Sequence, residues 1–120
     1  VLPGLFERPS LARAVARVVE DPASHHSLAD LARAAGMSRS KFAKVFAETV
    51  GSPPMEFVNR ARLDKARQLL FSTDLSISDI ANHAGFASRS HFSRSFRNAF
   101  GIDPTRMRRN GLNGDAQDAQ

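Results

Sequence analysis

Few side chains of this 120-residue protein are suited to catalysis or metal binding, and their spacing assembles no such site. His25 and His26 are adjacent, so they project in different directions and make a poor metal pair. His83 and His91 have no series of further ligands nearby. The serines form no Gly-x-Ser-x-Gly elbow, the chain has no phosphate-binding loop, and it contains no cysteine. We therefore expect no enzyme, no metal and no cofactor.

Basic side chains indicate a different chemistry. The chain has 17 Lys and Arg against 12 Asp and Glu, a net charge of +5. Asp115 and Asp118 lie in a polar tail, residues 110–120, which we predict to be disordered, so the folded part is more basic still. Lysine and arginine neutralise phosphates, and arginine can also bond guanine O6 and N7 bidentately. Because charge alone does not identify the partner, the elements that carry these residues matter.

An internal repeat organises those elements. The segment SLADLARAAGMSRSKFAKVFAETVGSPP begins at Ser27, and SISDIANHAGFASRSHFSRSFRNAFGIDP begins at Ser76. The second copy has one extra residue before its last part. The matching pairs are Asp30 and Asp79, Ala32 and Ala81, Ala35 and Ala84, Gly36 and Gly85, Ser38 and Ser88, Arg39 and Arg89, Ser40 and Ser90, Phe42 and Phe92, Phe46 and Phe96, Gly51 and Gly101, and Pro54 and Pro104.

Each copy carries the signals of two short helices. In the first copy, Ser27 and Asp30 fit a helix start, and Gly36 fits a left-handed turn at the helix end. Ser38 can cap the next helix, which Gly51 ends. We expect the buried faces of these second helices to be formed by Phe42, Val45, Phe46 and Val50, and by Phe92, Phe96, Ala99 and Phe100. Two helices joined by a short glycine-containing turn form a helix-turn-helix unit, although a single copy also fits a plain αα-hairpin.

The remaining segments complete an all-α fold of about seven helices. A linker helix over 54–71 would span about 25 Å and join two homeodomain-like helix-turn-helix subdomains, 28–50 and 77–100. An earlier helix over 10–20 is expected to pack Leu11, Val15, Val18 and Val19, and a short last helix covers 104–109. No strands are expected.

These segments resemble the AraC/XylS family of bacterial transcription regulators, in particular its C-terminal DNA-binding domain. The carrying residues are LADLARAAGMSRSKFAKVF, GSPPMEFVNRARLDKARQLL and SISDIANHAGFASRSHFSRSFRNAFGIDPTRMR. Met107 departs from the family, which often has an aromatic residue near that place. The resemblance implies a DNA-binding domain over residues 9–109. Residues 1–8 then look like a remnant of a preceding domain or linker.

The resemblance also implies that two recognition helices, about 38–50 and 88–100, enter successive major-groove segments of one duplex. Early positions on such helices reach the bases, and flanking ones reach phosphates. The implied base readers are Ser40, Ala43, Lys44, Arg89, Ser90 and Arg94. The expected phosphate contacts are Ser38, Arg39, Lys41, His91, Ser93 and Arg97. For Arg62, Lys65 and Arg67 on the linker helix, an ordinary solvated face is the better interpretation.

The predicted function is sequence-specific binding of double-stranded DNA and regulation of bacterial transcription. RNA polymerase is a second candidate partner. The module is expected to act as a monomer on DNA, within a parent that dimerises through another domain. The lack of cysteine suits a reducing compartment, and the expected location is cytoplasmic and nucleoid-associated. The alternative is a helical protein-interaction or effector-binding module whose basic charge is incidental.

Overall fold

The computed structural model describes residues 8–112, which form seven α-helices and no strand. The predicted all-α fold is thus confirmed. The helices are α1 (Pro9–Glu20), α2 (Leu28–Ala34), α3 (Arg39–Val50), α4 (Pro54–Ser72), α5 (Ile77–His83), α6 (Arg89–Phe100) and α7 (Pro104–Leu112). None of these helices combines the length and apolar character needed to cross a membrane.

Serine hydroxyls start four of the helices, as the sequence predicts. The Ser27 and Ser76 hydroxyls accept bonds of 3.0 Å from the backbone N–H groups of Asp30 and Asp79, respectively. Ser38 caps α3 and Ser88 caps α6 in the same way, at 3.2 and 3.1 Å. Each hydroxyl satisfies one amide that the helix itself leaves unpaired, so the starts of α2, α3, α5 and α6 are set locally.

The turn inside each helix-turn-helix unit depends on glycine. Gly36 and Gly85 have φ angles of +70° and +96°, and a residue with a Cβ adopts such angles only at a cost in free energy. The residue after each glycine then donates its N–H back into the preceding helix. Met37 N to Ala32 O and Phe86 N to Ala81 O are both 2.9 Å. The two turns therefore have the same hydrogen-bond pattern despite the extra residue in the second copy.

The chain divides after Ala61 into two compact units, and each has its own core. We call them unit 1, the part up to Ala61, and unit 2, the part from Arg62 onward. The core of unit 1 consists of Leu11, Ala14, Val18, Leu31, Ala32, Ala35, Phe42, Phe46 and Val58. The core of unit 2 consists of Leu63, Ala66, Leu70, Ile77, Ile80, Ala81, Ala84, Phe86, Phe92 and Phe96. Helix α4 runs through the division and contributes residues to both cores.

Two residues assigned to buried faces are exposed instead. Val19 is 60% exposed, because the inward stripe of α1 is the narrower set Leu11, Ala14 and Val18. Ala99 is also exposed, since Phe92 and Phe96 form the fully buried stripe of α6. A helix turns by about 100° per residue, so Val19 lies about 100° around α1 from Val18 and outside this narrow stripe.

The last helix continues to Leu112, past the point at which the sequence suggested the start of a tail. Residues 110–112 are helical, although Asn110 and Gly111 are poor helix formers. The rest of that tail, 113–120, and residues 1–7 of the expected remnant lie outside the described residues. The linker helix ends at Ser72, one residue later than predicted.

Candidate nucleic-acid interface

Phenylalanine packing fixes which face of α3 points outward. Phe42 and Phe46 are buried, one turn apart, with ring centroids 5.4 Å from each other. The Phe46 ring also meets Phe57 of α4 edge-on at 5.6 Å. These contacts hold one side of α3 against the core of unit 1, so the opposite side faces solvent.

Helix α6 is held in the same way. Phe92 and Phe96 are fully buried, with centroids 5.6 Å apart, and Phe86 from the preceding turn packs on Phe92 at 5.1 Å. Phe96 contacts Phe100 at 4.6 Å. This row of rings follows the length of the helix and leaves its other face free for contacts with a partner.

The predicted base readers lie on these two outward faces. In α3, Ser40 and Lys44 are exposed, and Ala43 is half-buried. In α6, Arg89, Ser90 and Arg94 are exposed. Each set lies within the first half of its helix, and the two sets belong to different units.

The predicted phosphate contacts are also at the surface, with Ser93 half-buried. The exposed ones are Ser38, Arg39, Lys41, His91 and Arg97. Ser38 already accepts the α3 capping bond, which leaves its hydroxyl proton available as a donor. The His91 ring lies edge-on to Phe86, with centroids 5.5 Å apart, so packing restrains its position.

The first helices of the two helix-turn-helix units, α2 and α5, differ in charge from the second helices, α3 and α6. The first turns of α2 and α5 contain Asp30 and Asp79, which offset the positive end of the helix dipole. The first turns of α3 and α6 contain no acidic residue. Helix α6 carries three arginines and no acid, whereas α3 has Glu48 in addition to its three basic residues. The formal positive charge of α6 is therefore higher than that of α3.

An ion pair restrains one of the predicted contacts. Arg97 donates from Nε to the Asp103 carboxylate at 3.0 Å, and its Nη2 lies 2.8 Å from the same oxygen. Asp103 stands directly before α7, which begins at Pro104. Both side chains are at least half exposed, so the pair orients the guanidinium at little energetic gain.

The carboxyl of Asp30 has a lowered pKa for a local reason. Arg33 donates to it from Nη1 at 2.9 Å, and this bond is the largest cause, followed by a bond from the Ser27 hydroxyl. His25 Nε2 lies 3.7 Å from the other carboxylate oxygen. The ionised Asp30 thus belongs to the start of α2 and not to the outward face of α3.

One histidine and two arginines of the linker helix contact the rest of the fold. His26 is buried, with Nε2 2.7 Å from the Asp21 carbonyl oxygen. Within residues 8–112, no group of three or more potential ligands could hold a metal ion. Arg62 is half-buried, which lowers the pKa of its guanidinium, and Arg67 lies over the Phe100 ring at 4.7 Å. The solvated-face interpretation is therefore too simple for these two arginines, because both are partly engaged by the fold.

Comparison with known proteins is consistent with this geometry. Residues 31–110 match a family model described as a helix-turn-helix domain. The transcriptional regulator ExsA of Pseudomonas aeruginosa is 41% identical over 81 residues, which cover 68% of this chain and 29% of that protein. A putative AraC-like transcription regulator of Streptomyces lividans is 36% identical over 103 residues, covering 86% and 34%.

Two solved structures are similar over most of their length. The DNA-binding domain of AdpA, crystallised with a target DNA, has a TM-score of 0.80 and 31% identity, covering 82% of this chain and 89% of that one. An AraC-type regulator from Chromobacterium violaceum has a TM-score of 0.80 and 34% identity, covering 88% and 94%. The chain belongs to the AraC-type helix-turn-helix family. It is a DNA-binding domain of that family and not an enzyme.

As an AraC-type domain, the chain spans about a quarter to a third of the length of the curated relatives it matches.

The sequence did not predict two residues that shape the domain. Asp103 pairs with Arg97, and Arg108 bonds the end of α4 from 38 residues away. A cap at Asp103 could have been inferred from Pro104, but neither side-chain partner follows from local spacing.

Proposed function

We propose that this AraC-type domain binds double-stranded DNA sequence-specifically by placing α3 and α6 in successive major-groove segments. The observation that carries the proposal is the outward face of α6, where arginines occupy exposed positions opposite a fixed row of phenylalanine rings. Arg89 and Arg94 read guanine bidentately, and Ser90 adds a hydroxyl contact. On α3, Lys44 and Ser40 provide single polar contacts, and Ala43 provides a methyl contact.

Residues flanking these readers contact phosphates and set the register. They are Ser38, Arg39, Lys41, His91, Ser93 and Arg97. The ion pair with Asp103 orients the guanidinium of Arg97. Because the pair uses only some of the guanidinium N–H donors, the others can bond a phosphate. The crystal structure of the similar AdpA domain in complex with a target DNA supports DNA binding by this domain.

The domain acts within a longer bacterial regulator of transcription. Its relatives ExsA and the Streptomyces protein are named as regulators and are about three times as long as the matched part. We assign the domain a monomeric role on DNA, and assign dimerisation to a separate part of the parent protein. RNA polymerase is a second partner, and the working location is the nucleoid in the cytoplasm.

Salt dependence tests the DNA-binding proposal. Duplexes selected from a random pool are labelled, and the dissociation constant is measured by fluorescence anisotropy over a range of salt concentrations. Log affinity should fall linearly with log salt, with a slope of roughly −0.9 per phosphate contacted. A flat salt response, or equal affinity for selected and scrambled duplexes at moderate salt, contradicts specific recognition.

Single variants then separate the readers from the phosphate contacts. Arg94→Ala or Arg89→Ala should relax preference at one or two base pairs in one half of the site and cost about 1–3 kcal/mol. Arg97→Ala should weaken all duplexes alike and reduce the salt slope by about one unit. Lys44→Ala should alter the other half of the site. If Lys44→Ala and Arg94→Ala change preference at the same base pairs, the two-groove proposal is wrong.

A further inference from the structure

Unit 2 has a groove whose lining includes none of the residues proposed to contact DNA. It lies among the end of α4, the end of α6 and α7, is open to solvent, and has a volume of about 660 Å³. We call it the α4–α7 groove. Its apolar lining is Phe71, Phe100, Ile102 and Met107, and its basic lining is Arg67 and Arg106.

The fold keeps an aromatic ring exposed at this groove. Phe71 is 51% exposed, although it follows the fully packed Leu70 in the same helix. Gly111 of α7 lies so close to the Phe71 ring that a methyl group at that position would collide with it. A glycine inside a helix is unfavourable, so here it serves the approach of α7 to the ring. The phenyl group is thus held in place while much of its surface still faces water.

Charge at the groove has one sign. The guanidinium carbon of Arg67 lies over the Phe100 ring, 4.7 Å from its centre, which places one positive charge at the groove. Arg106 is exposed on α7. Among residues 8–112, no carboxylate lines the groove. An apolar surface with two guanidinium groups complements a segment that places carboxylates beside bulky apolar side chains.

The groove lies at the far end of α6 from the base readers. Phe100 is the last residue of that helix, and the base readers Arg89 and Arg94 lie about 16 and 9 Å before it along the axis. A partner in the groove therefore leaves the first turns of α6 accessible. We propose that the α4–α7 groove is a docking site for another protein, which binds it through an acidic segment with one or two bulky apolar anchors while the domain is on DNA.

A peptide library tests this proposal. Phage displaying random 12-residue peptides are selected against the full chain, both free and bound to its selected duplex. In both cases the enriched peptides should combine Asp or Glu with Leu, Phe or Trp. A synthetic peptide of the consensus should bind Arg106→Glu and Phe71→Ser at least tenfold more weakly than the parent. Arg109→Glu is the matched control, because Arg109 is exposed on the same helix without lining the groove.

Several results would overturn the proposal. The first is the absence of enriched acidic-apolar peptides, and the second is an equal loss of peptide affinity with Arg109→Glu. The third is displacement of the consensus peptide by laurate at equal concentration, which would identify a small carboxylate with an apolar chain as the ligand. Tighter peptide binding by the Asp115→Asn, Asp118→Asn double variant would identify the chain's own tail as the occupant. Self-association abolished by Phe71→Ser would identify a second copy. If Arg106→Glu weakens DNA binding as much as Arg94→Ala does, the groove belongs to the DNA interface. Unchanged far-UV circular dichroism and melting of each variant separate these outcomes from loss of folding.

Discussion

Arg108 should be a structural residue despite its place in a basic, DNA-binding domain. Its guanidinium donates to three backbone carbonyls: Leu70 at 3.0 Å from Nε, Thr73 at 3.2 Å from Nη2 and Leu75 at 2.6 Å from Nη1. Leu70 lies in the last turn of α4, where carbonyls have no partner within the helix. One side chain of α7 therefore ties down both the end of α4 and the segment that leads into α5.

The expected cost of Arg108→Ala follows from these bonds. A hydrogen bond to a charged group contributes about 1.5–3 kcal/mol net. The full sum for three bonds is an upper bound, because Arg108 is only half-buried and water can replace part of what is lost. We expect a destabilisation of roughly 2–4 kcal/mol, which for a domain of this size lowers the melting temperature on the order of 10–20 °C.

Urea unfolding followed by far-UV circular dichroism measures this loss, and amide hydrogen exchange should locate it in residues 62–112. Arg109→Ala is the matched control, since Arg109 is exposed on the same helix and should change stability by about 0.5 kcal/mol or less. Arg108→Lys keeps the charge but not the planar fork, so it should recover only part of the loss. An Arg108→Ala protein within about 0.5 kcal/mol of the parent, or full recovery by lysine, would refute this reasoning.

Three further predictions concern the elements that position the interface. Phe46→Ala and Phe96→Ala should each cost about 3–5 kcal/mol by chemical denaturation, because each ring is buried in the core of its unit; a negligible loss would mean that the faces of α3 and α6 are reversed. Gly36→Ala should cost about 1–2 kcal/mol from backbone strain alone, since nothing lies within 4 Å of the added methyl, and Gly36→Asn should cost less; equal costs would contradict the left-handed turn. Because folding lowers the pKa of Asp30, its ionised carboxylate stabilises the fold above the pKa of the unfolded state, ~3.9, and this stabilisation is lost as pH falls through the pKa of the folded state. The loss of unfolding free energy caused by Asp30→Asn, measured by urea unfolding, should therefore shrink between pH 7 and pH ~3. A loss that does not depend on pH would be inconsistent with this assignment.

The parts of the fold that depend on local spacing could be predicted from the sequence. Ser38 caps α3 and Gly36 ends the preceding turn because both act on backbone groups within a few residues. The burial of Phe42 and Phe46 follows from helical periodicity for the same reason. The predicted burial of single residues fails where a stripe is narrower than assumed, as at Val19 and Ala99.

Contacts between distant residues could not be predicted. Arg108 bonds carbonyls 33–38 positions earlier, and its neighbour Arg109, identical in type, is exposed. Only the packing of α7 in unit 2 distinguishes the two. The same holds for Phe71. Helical spacing places it at the end of the linker helix, but the spacing does not show that α7 packs against the ring and leaves it exposed at a groove.

The two copies of the repeat also show which positions are free to specify DNA sequence. Positions inside each unit have the same residue in both copies, as at Phe46 and Phe96, or exchange one apolar residue for another, as at Leu31 and Ile80, because the core requires an apolar side chain there. On the outward faces, Lys44 corresponds to Arg94, and Ala43 and Ala47 correspond to Ser93 and Arg97. Arg39 and Ser40, in contrast, recur as Arg89 and Ser90 at the helix starts. One fold repeated with different outward side chains should therefore make similar contacts at the helix starts and different base contacts one turn later. Selected duplexes should accordingly contain two unlike half-sites, and a selection that yields two identical half-sites would contradict this division.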